Sequence, residues 1–263
     1  MSVIEAIILG VIQGITEFLP VSSSGHLELV QAIFGNQNNT DGNLLFTIVV
    51  HGATALATLV VFRADVWSII RGLFQFTNNE SAQFSLRIVL SMMPAALIGY
   101  FFEDIISSQF FGNTLLVGLM LWITAGLLYI ADKPTENRAN VSLTNAWWIG
   151  IAQAFAILPG VSRSGATIAI SLLLGVARDR AARFSFLMVV PLIFGSMAKK
   201  ILDGGLEQEV LSPSPILAGF MAAFISGYLA CRWMIALVKR SQLRYFAYYC
   251  ALVGTISLVT SLV

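Results

Sequence analysis

Six stretches of this chain, 44–62, 86–102, 113–131, 184–201, 215–238 and 245–263, stay apolar over 17 to 24 residues. A helix needs about 20 such residues to cross the hydrocarbon core of a bilayer. In lipid every backbone N–H and C=O must find its partner within the protein, so runs of this kind dictate helices. The composition agrees, with 57% of residues hydrophobic and 11% charged. Soluble domains carry about 25% charged residues, and so few charges cannot coat a soluble globule of 263 residues. The sequence predicts an all-α polytopic membrane protein with six transmembrane helices. It is expected to form a single membrane domain, 1–263, with no soluble appendage and no cleavable signal, since no basic flank precedes the first apolar run. A net charge of +1 gives no ground for a nucleic-acid partner. Cys231 and Cys250 sit inside apolar runs and read as packed free thiols.

Two further apolar regions are interrupted. Residues 3–20 and 27–35 flank PVSSSGH, which runs from Pro20 to His26. Residues 146–158 and 166–177 flank PGVSRSG, from Pro159 to Gly165. Most of these pieces are too short to span, and each pair is broken by Pro, Gly and hydroxyl residues. The pattern predicts two re-entrant helical hairpins, with helices resuming near residues 27 and 166. Irregular backbone at membrane depth survives only when buried in protein or lining a watery cavity. Residues 65–76, DVWSIIRGLFQF, predict an amphipathic helix at the interface, and 35–43 predict a polar loop.

The chain also repeats. Shifted by 140, Ala6 meets Ala146, Gly10 meets Gly150 and Gln13 meets Gln153. Val21-Ser22 meets Val161-Ser162, Ser24-Gly25 meets Ser164-Gly165, and Gly35 meets Gly175. Phe46 meets Phe186 and Val49-Val50 meets Val189-Val190. The identities cluster on the broken segments rather than on interchangeable aliphatics, which marks a duplication, with repeat one about 3–131 and repeat two about 146–263. Each copy holds one hairpin and three spans. Three is odd, so the second copy inserts upside down, an inverted-topology repeat whose broken segments meet near the midplane. With both termini outside, the inner loops hold Arg63, Arg71, Arg87, Lys133, Arg138, Arg178, Arg180, Arg183, Lys239, Arg240 and Arg244. The outer side has Lys199 and Lys200 beside Glu103, Asp104, Asp203, Glu207 and Glu209. The positive-inside rule selects this orientation.

Ionisable residues within membrane segments default to a functional reading. Glu17 follows Gln13 by one helical turn, on the same face. A buried carboxylate stays charged only beside a cation, and Arg163, placed by the repeat opposite Ser23, is the obvious one. Such a pair could simply clamp the hairpins together. Against that, two helix N-termini converge with the hydroxyls of Ser22, Ser23, Ser24, Ser162, Ser164 and Thr167, which makes an anion site inside a membrane. Phosphate or pyrophosphate is the natural guest. Ser23 or a water is then the attacking group, with Glu17 or His26 as base. Alternatively Glu17 and Gln13 hold a divalent cation, Mg2+ or Ca2+. His51 reads as a satisfied core histidine. Glu5 is expected at the interface, Glu28 in a first helical turn, and Arg232 reaching toward the cytoplasm.

QGITEFLPVSSSGH, 13–26, and LPGVSRSGAT, 158–167, resemble the two signature motifs of the BacA-type undecaprenyl-diphosphate phosphatases. The resemblance runs through nearly the whole chain and includes FSFLMVVP at 184–191. It implies removal of the terminal phosphate from undecaprenyl diphosphate, recycling of the lipid carrier for envelope synthesis, and resistance to bacitracin. It also implies a bacterial inner-membrane location, an active site facing outward, and a divalent cation. On this resemblance Gln13 and Glu17 match the acidic motif, Ser23 the nucleophile, His26 the motif histidine and Arg163 the phosphate-binding arginine. Ser162, Ser164 and Thr167 match the polar residues of the second motif. Gln13 stands where many relatives have Glu, so two-carboxylate metal binding is absent here. Ser24 stands where relatives often have Thr. The expected partners are a polyprenyl diphosphate and membrane lipids, and a homodimer stays open. The rival readings are a transporter or flippase of an anionic lipid, a phosphatidic-acid-phosphatase type of enzyme, whose Lys-Arg-Pro signature is missing, and a purely structural membrane protein.

Overall fold

A computed structural model of the chain describes residues 1–33, 40–75, 77, 79–110, 112–132, 139–202 and 213–262. Among these residues eleven helices follow one another: α1 (Val3–Phe18), α2 (Ser23–Ile33), α3 (Thr40–Val61), α4 (Arg63–Leu73), α5 (Glu80–Phe110), α6 (Thr114–Ala131), α7 (Leu143–Phe155), α8 (Arg163–Leu173), α9 (Arg178–Leu202), α10 (Pro213–Lys239) and α11 (Leu243–Leu262). Among the described residues there is no strand, only an isolated bridge between Ala139 and Val176. Among the described residues five helices are long and apolar enough to cross a membrane, and six if α3 and α4, bent by 80° at their junction, count as one span. The amphipathic segment is α4, whose Trp67, Leu73 and the following Phe74 are exposed. Of the expected polar loop, 40–43 belong to α3 and 35–39 lie outside the described residues, as do Lys133, Arg138, Asp203, Glu207 and Glu209.

Local signals set the helix starts. Ser2 and Glu5 form a reciprocal capping box at α1, which gives Glu5 a structural task. Asn113, Ser142 and Ser162 cap α6, α7 and α8. The expectation that helices resume near 27 and 166 is corrected: α2 begins at Ser23 and α8 at Arg163. The Ser22 and Ser162 hydroxyls accept from the Gly25 and Gly165 N–H groups at 3.3 and 3.1 Å, which pulls the first helical turn back onto the serines.

Lipid tails are as apolar as the helices, so helices associate in a bilayer through close packing rather than a hydrophobic drive. Glycines make that possible. A Cβ at Gly10 would collide with the Gly219 carbonyl oxygen of α10, and one at Gly150 with the Ser91 carbonyl oxygen of α5. The α1–α10 and α7–α5 crossings are thus built alike, on glycines that lie 140 positions apart in sequence. Replacing Gly150 with Val is expected to cost about 1–3 kcal/mol or more by overpacking. In detergent the midpoint of thermal unfolding should fall by several degrees. Gly126→Ala, where the added carbon meets open space, should leave the midpoint unchanged. Equal midpoints in the two variants would rule out the tight crossing.

Candidate active site

α1 ends because Leu19 turns extended, with φ −69° and ψ 142°, ahead of Pro20. Ser22 then adopts a left-handed φ of 71°, and Gly160 in the second break a φ of 95°. Ser22 carries a side chain, so this conformation is strained, and the strain sits where the chain re-enters a helix. The two breaks pack on each other. Ser164 donates to the Leu19 carbonyl oxygen at 3.2 Å, and a Cβ at Gly25 would lie 3.2 Å from the Gly160 Cα.

Glu17 is the centre of the site. Its side chain is 6% exposed, so the carboxylate needs partners within the protein. Gln13 Nε2 donates to Glu17 Oε2 at 3.0 Å. Ser23 Oγ donates to the same oxygen at 2.8 Å. Arg163 Nη1 lies 3.6 Å from the other oxygen, Oε1. The structure thus brings Gln13, Glu17, Ser23 and Arg163 together from three helices. Glu17 and Arg163 line a cavity together with Ser164, with Thr54 and Thr58 of α3, and with Ser185, Phe186 and Val189 of α9.

The remaining hydroxyls named from the sequence do scaffold work. Ser22 and Ser162 are spent on the caps, and the Ser24 and Ser164 hydroxyls lie 3.4 Å from them. Thr167 Oγ1 bonds the Arg163 carbonyl oxygen at 2.8 Å and the Ser185 hydroxyl at 2.6 Å, so α8 is tied to α9 directly behind the arginine.

His26 is placed differently from the sequence expectation. Its Nδ1 lies 2.8 Å from the Ser22 carbonyl oxygen. A carbonyl only accepts, so Nδ1 carries the proton and Nε2, in the neutral ring, accepts from the Tyr249 hydroxyl at 2.8 Å. The two rings stack at 5.6 Å. Tyr249, on α11, had no signal in the sequence beyond being aromatic. Glu28 is one turn further into α2 than expected and accepts from the Gly112 N–H at 3.1 Å. Arg232 stays on its own helix, over the Tyr228 ring.

His51, read as a satisfied core histidine, has its Nδ1 2.8 Å from the Thr47 carbonyl oxygen and also approaches the site. Its Nε2 lies 3.8 Å from Glu17 Oε2. The signal was available: His51 is one of two histidines in the chain and sits inside an apolar span, with Thr54 and Thr58 on the same face.

A buried carboxylate with a hydroxyl on one oxygen and a guanidinium beside the other can take a proton from that hydroxyl while an anion is held next to it. Helical membrane proteins with ionisable groups buried between helix breaks form a class in which such groups mark a substrate or ion site. The chain belongs to the family described as bacitracin resistance protein BacA, whose family model matches residues 6–256. It is 55% identical over 259 residues to an undecaprenyl-diphosphatase of Christiangramia forsetii, covering 98% of each chain. It is 47% identical over 262 residues to one of Bacteroides fragilis, covering 98% of this chain and 97% of that one. It is 35% identical over 278 residues to one of Methanobrevibacter smithii, covering 100% and 99%.

Proposed function

We propose that this chain is an undecaprenyl-diphosphatase, an integral membrane hydrolase that converts undecaprenyl diphosphate to undecaprenyl phosphate and phosphate. It recycles the lipid carrier for envelope synthesis and so confers resistance to bacitracin. The observation that carries this reading is the 2.8 Å bond from the Ser23 hydroxyl to the Glu17 carboxylate. A transporter or flippase of the same anion would need Arg163 but not a nucleophile already bonded to a base.

The reaction runs as two transfers. Glu17 takes the Ser23 proton as Oγ attacks the terminal phosphorus. The bond from that phosphorus to the bridging oxygen breaks, and its electron pair leaves with undecaprenyl phosphate. A water then attacks the serine phosphate: the bond from phosphorus to Oγ breaks, Oγ takes back the proton held by Glu17, and the protons of the water leave with inorganic phosphate. The Arg163 guanidinium and the N–H groups opening α2 and α8 hold the charge that spreads over the equatorial oxygens. His26, fixed by Ser22 and Tyr249, orients the start of α2, on which Ser23 sits. Tyr249→Phe keeps the stacked ring and removes one hydrogen bond worth about 1 kcal/mol. It is expected to lower kcat/KM about fivefold, and an unchanged value would deny Tyr249 this orienting part.

A divalent cation fits the donors present. Glu17 offers a carboxylate, and the side-chain oxygen of Gln13 is buried without a hydrogen-bond partner. Among the described residues no group of three His, Cys, Asp or Glu side chains gathers, so the substrate and water would complete the coordination. Such an ion would offset the charge of the diphosphate.

The reading includes an inverted repeat, about 3–131 and 146–263, with α1–α2 and α7–α8 as re-entrant hairpins. The packing supports it. Exchanging the equivalent helices turns the α1–α10 contact into α7–α5 and the α3–α10 contact into α9–α5. It also includes a bacterial inner-membrane location, with both termini and the active site on the outer side. Three ion pairs support a common inner face: Asp65 with Arg183 at 2.7 Å, and Asp132 with Arg244 at 3.2 Å and with Arg178 at 3.8 Å. They draw the end of α6 and the starts of α4, α9 and α11 to one end of the bundle.

The test is phosphate release from undecaprenyl diphosphate by the purified chain in detergent, with and without EDTA and across several cations. Turnover that stops with EDTA is expected. No release from well-folded protein under any cation would sink the hydrolase reading and favour the transporter.

A further inference from the structure

The two oxygens of Glu17 face different chemistry. Oε1 faces Arg163, while Oε2 faces Gln13, Ser23 and His51. His51 comes from α3, and its Nδ1 lies 2.8 Å from the Thr47 carbonyl oxygen. The proton is therefore on Nδ1, and Nε2 is the nitrogen turned toward Glu17. A backbone carbonyl that fixes the far ring nitrogen is the usual support of a metal-binding histidine. Gln13 is 0% exposed, and its side-chain oxygen has no hydrogen-bond partner. Rotating that amide by half a turn puts the oxygen where Nε2 stands, 3.0 Å from Glu17 Oε2.

These separations suit one small ion. Two ligands at about 2.1 Å from a cation are about 3.0 Å apart when adjacent and at most about 4.2 Å apart when opposite. The 3.0 Å between the Gln13 amide and Glu17 Oε2, and the 3.8 Å from His51 Nε2 to that oxygen, both fall in this span. We infer that Gln13, Glu17 and His51 form a mixed oxygen and nitrogen site for a first-row transition ion, with Mn2+ bound in preference to Mg2+ and Ca2+. The inference rests on the reading of this pocket as the active site and names the ion it takes. Mg2+ and Ca2+ take oxygen ligands, whereas an imidazole nitrogen favours first-row transition ions. Three protein ligands leave positions for diphosphate oxygens, and Arg163 stays on the other carboxylate oxygen.

The chain has two histidines, so in full-length protein purified through a tag free of histidine, any imidazole bound to the ion is His26 or His51. Pulsed electron paramagnetic resonance of bound Mn2+ reads that nitrogen directly. The measurement is made with Mn2+ alone and with Mn2+ plus inorganic pyrophosphate. The expected result is protein-bound Mn2+ with nitrogen modulation that persists in His26→Gln and disappears in His51→Gln. His51→Gln and Gln13→Ala should weaken Mn2+ binding by roughly tenfold or more, since even the outer partners of a metal ligand are worth that much. Bound Mn2+ without nitrogen modulation, modulation lost with His26 instead, or no bound Mn2+ under either condition would overturn the site. The wild-type spectrum and His26→Gln already decide the matter if His51→Gln fails to fold. Phosphate release on the same preparations separates the two readings. Turnover without nitrogen coupling removes this cation site and leaves the phosphatase, and coupling without turnover does the reverse.

Discussion

Glu17→Gln is expected to lower kcat for undecaprenyl diphosphate about a thousandfold, within the 10²–10⁴ range for removing a general base, while the protein remains folded. The amide keeps the shape of the carboxylate and can still bond Ser23 and Gln13, so packing between α1 and α2 survives. It can no longer accept the Ser23 proton, and it leaves Arg163 without its counter-charge at 3.6 Å. Ser23→Ala removes the other half of the same proton transfer. The two changes therefore should not add: Glu17→Gln with Ser23→Ala should be no slower than the worse single variant by more than a few-fold. If water rather than Ser23 attacks, Ser23→Ala costs only about one hydrogen bond, roughly tenfold or less, while Glu17→Gln still costs the full amount. The double-mutant cycle, read by phosphate release, distinguishes the two.

Arg163→Lys is expected to lower kcat/KM by about 10²-fold, and Arg163→Ala by about 10³-fold or more. Lysine keeps one positive charge but not the planar fork that meets two phosphate oxygens at once. Alanine removes the charge as well, and the terminal phosphate then meets the buried Glu17 carboxylate without a cation beside it. Arg163→Ala should also lower the thermal midpoint, because breaking a buried pair strands the remaining charge. Arg163→Ala combined with Glu17→Ala should recover much of that stability and none of the activity. A stable, inactive double variant separates the catalytic part of the pair from a clamp between the helix breaks. If Arg163→Ala keeps near wild-type turnover and loses only stability, the pair is a clamp, and the anion is held elsewhere.

Much of the site was legible because membrane segments make polar residues conspicuous. In a chain with 11% charged residues, a carboxylate at 17 and a guanidinium at 163 stand out against their surroundings. The repeat placed Arg163 opposite Ser23, and the structure puts the guanidinium 3.6 Å from Glu17. Helix starts were less legible. A serine that caps and a serine in the first turn look the same in sequence, and only the direction of the hydroxyl tells them apart. Ser22 and Ser162 thus turned out to be caps, and Ser23 the residue on Glu17.

His51 and Tyr249 mark the limit. Each lies on a helix far along the chain from its partner, 34 residues for His51 from Glu17 and 223 for Tyr249 from His26. Nothing local encodes either meeting. The sequence by itself determined that the chain is helical and membrane-embedded, that it is broken twice, and which charges need partners. Those properties follow from the transfer of each residue out of water and from backbone hydrogen bonding, which are local. Tertiary structure alone decided which oxygen of Glu17 faces Arg163 and which faces His51, and that His26 turns to Tyr249. Those outcomes depend on the rotation of whole helices about their axes, set by close packing such as Gly10 on Gly219 and Gly150 on Ser91, and no single segment contains that information.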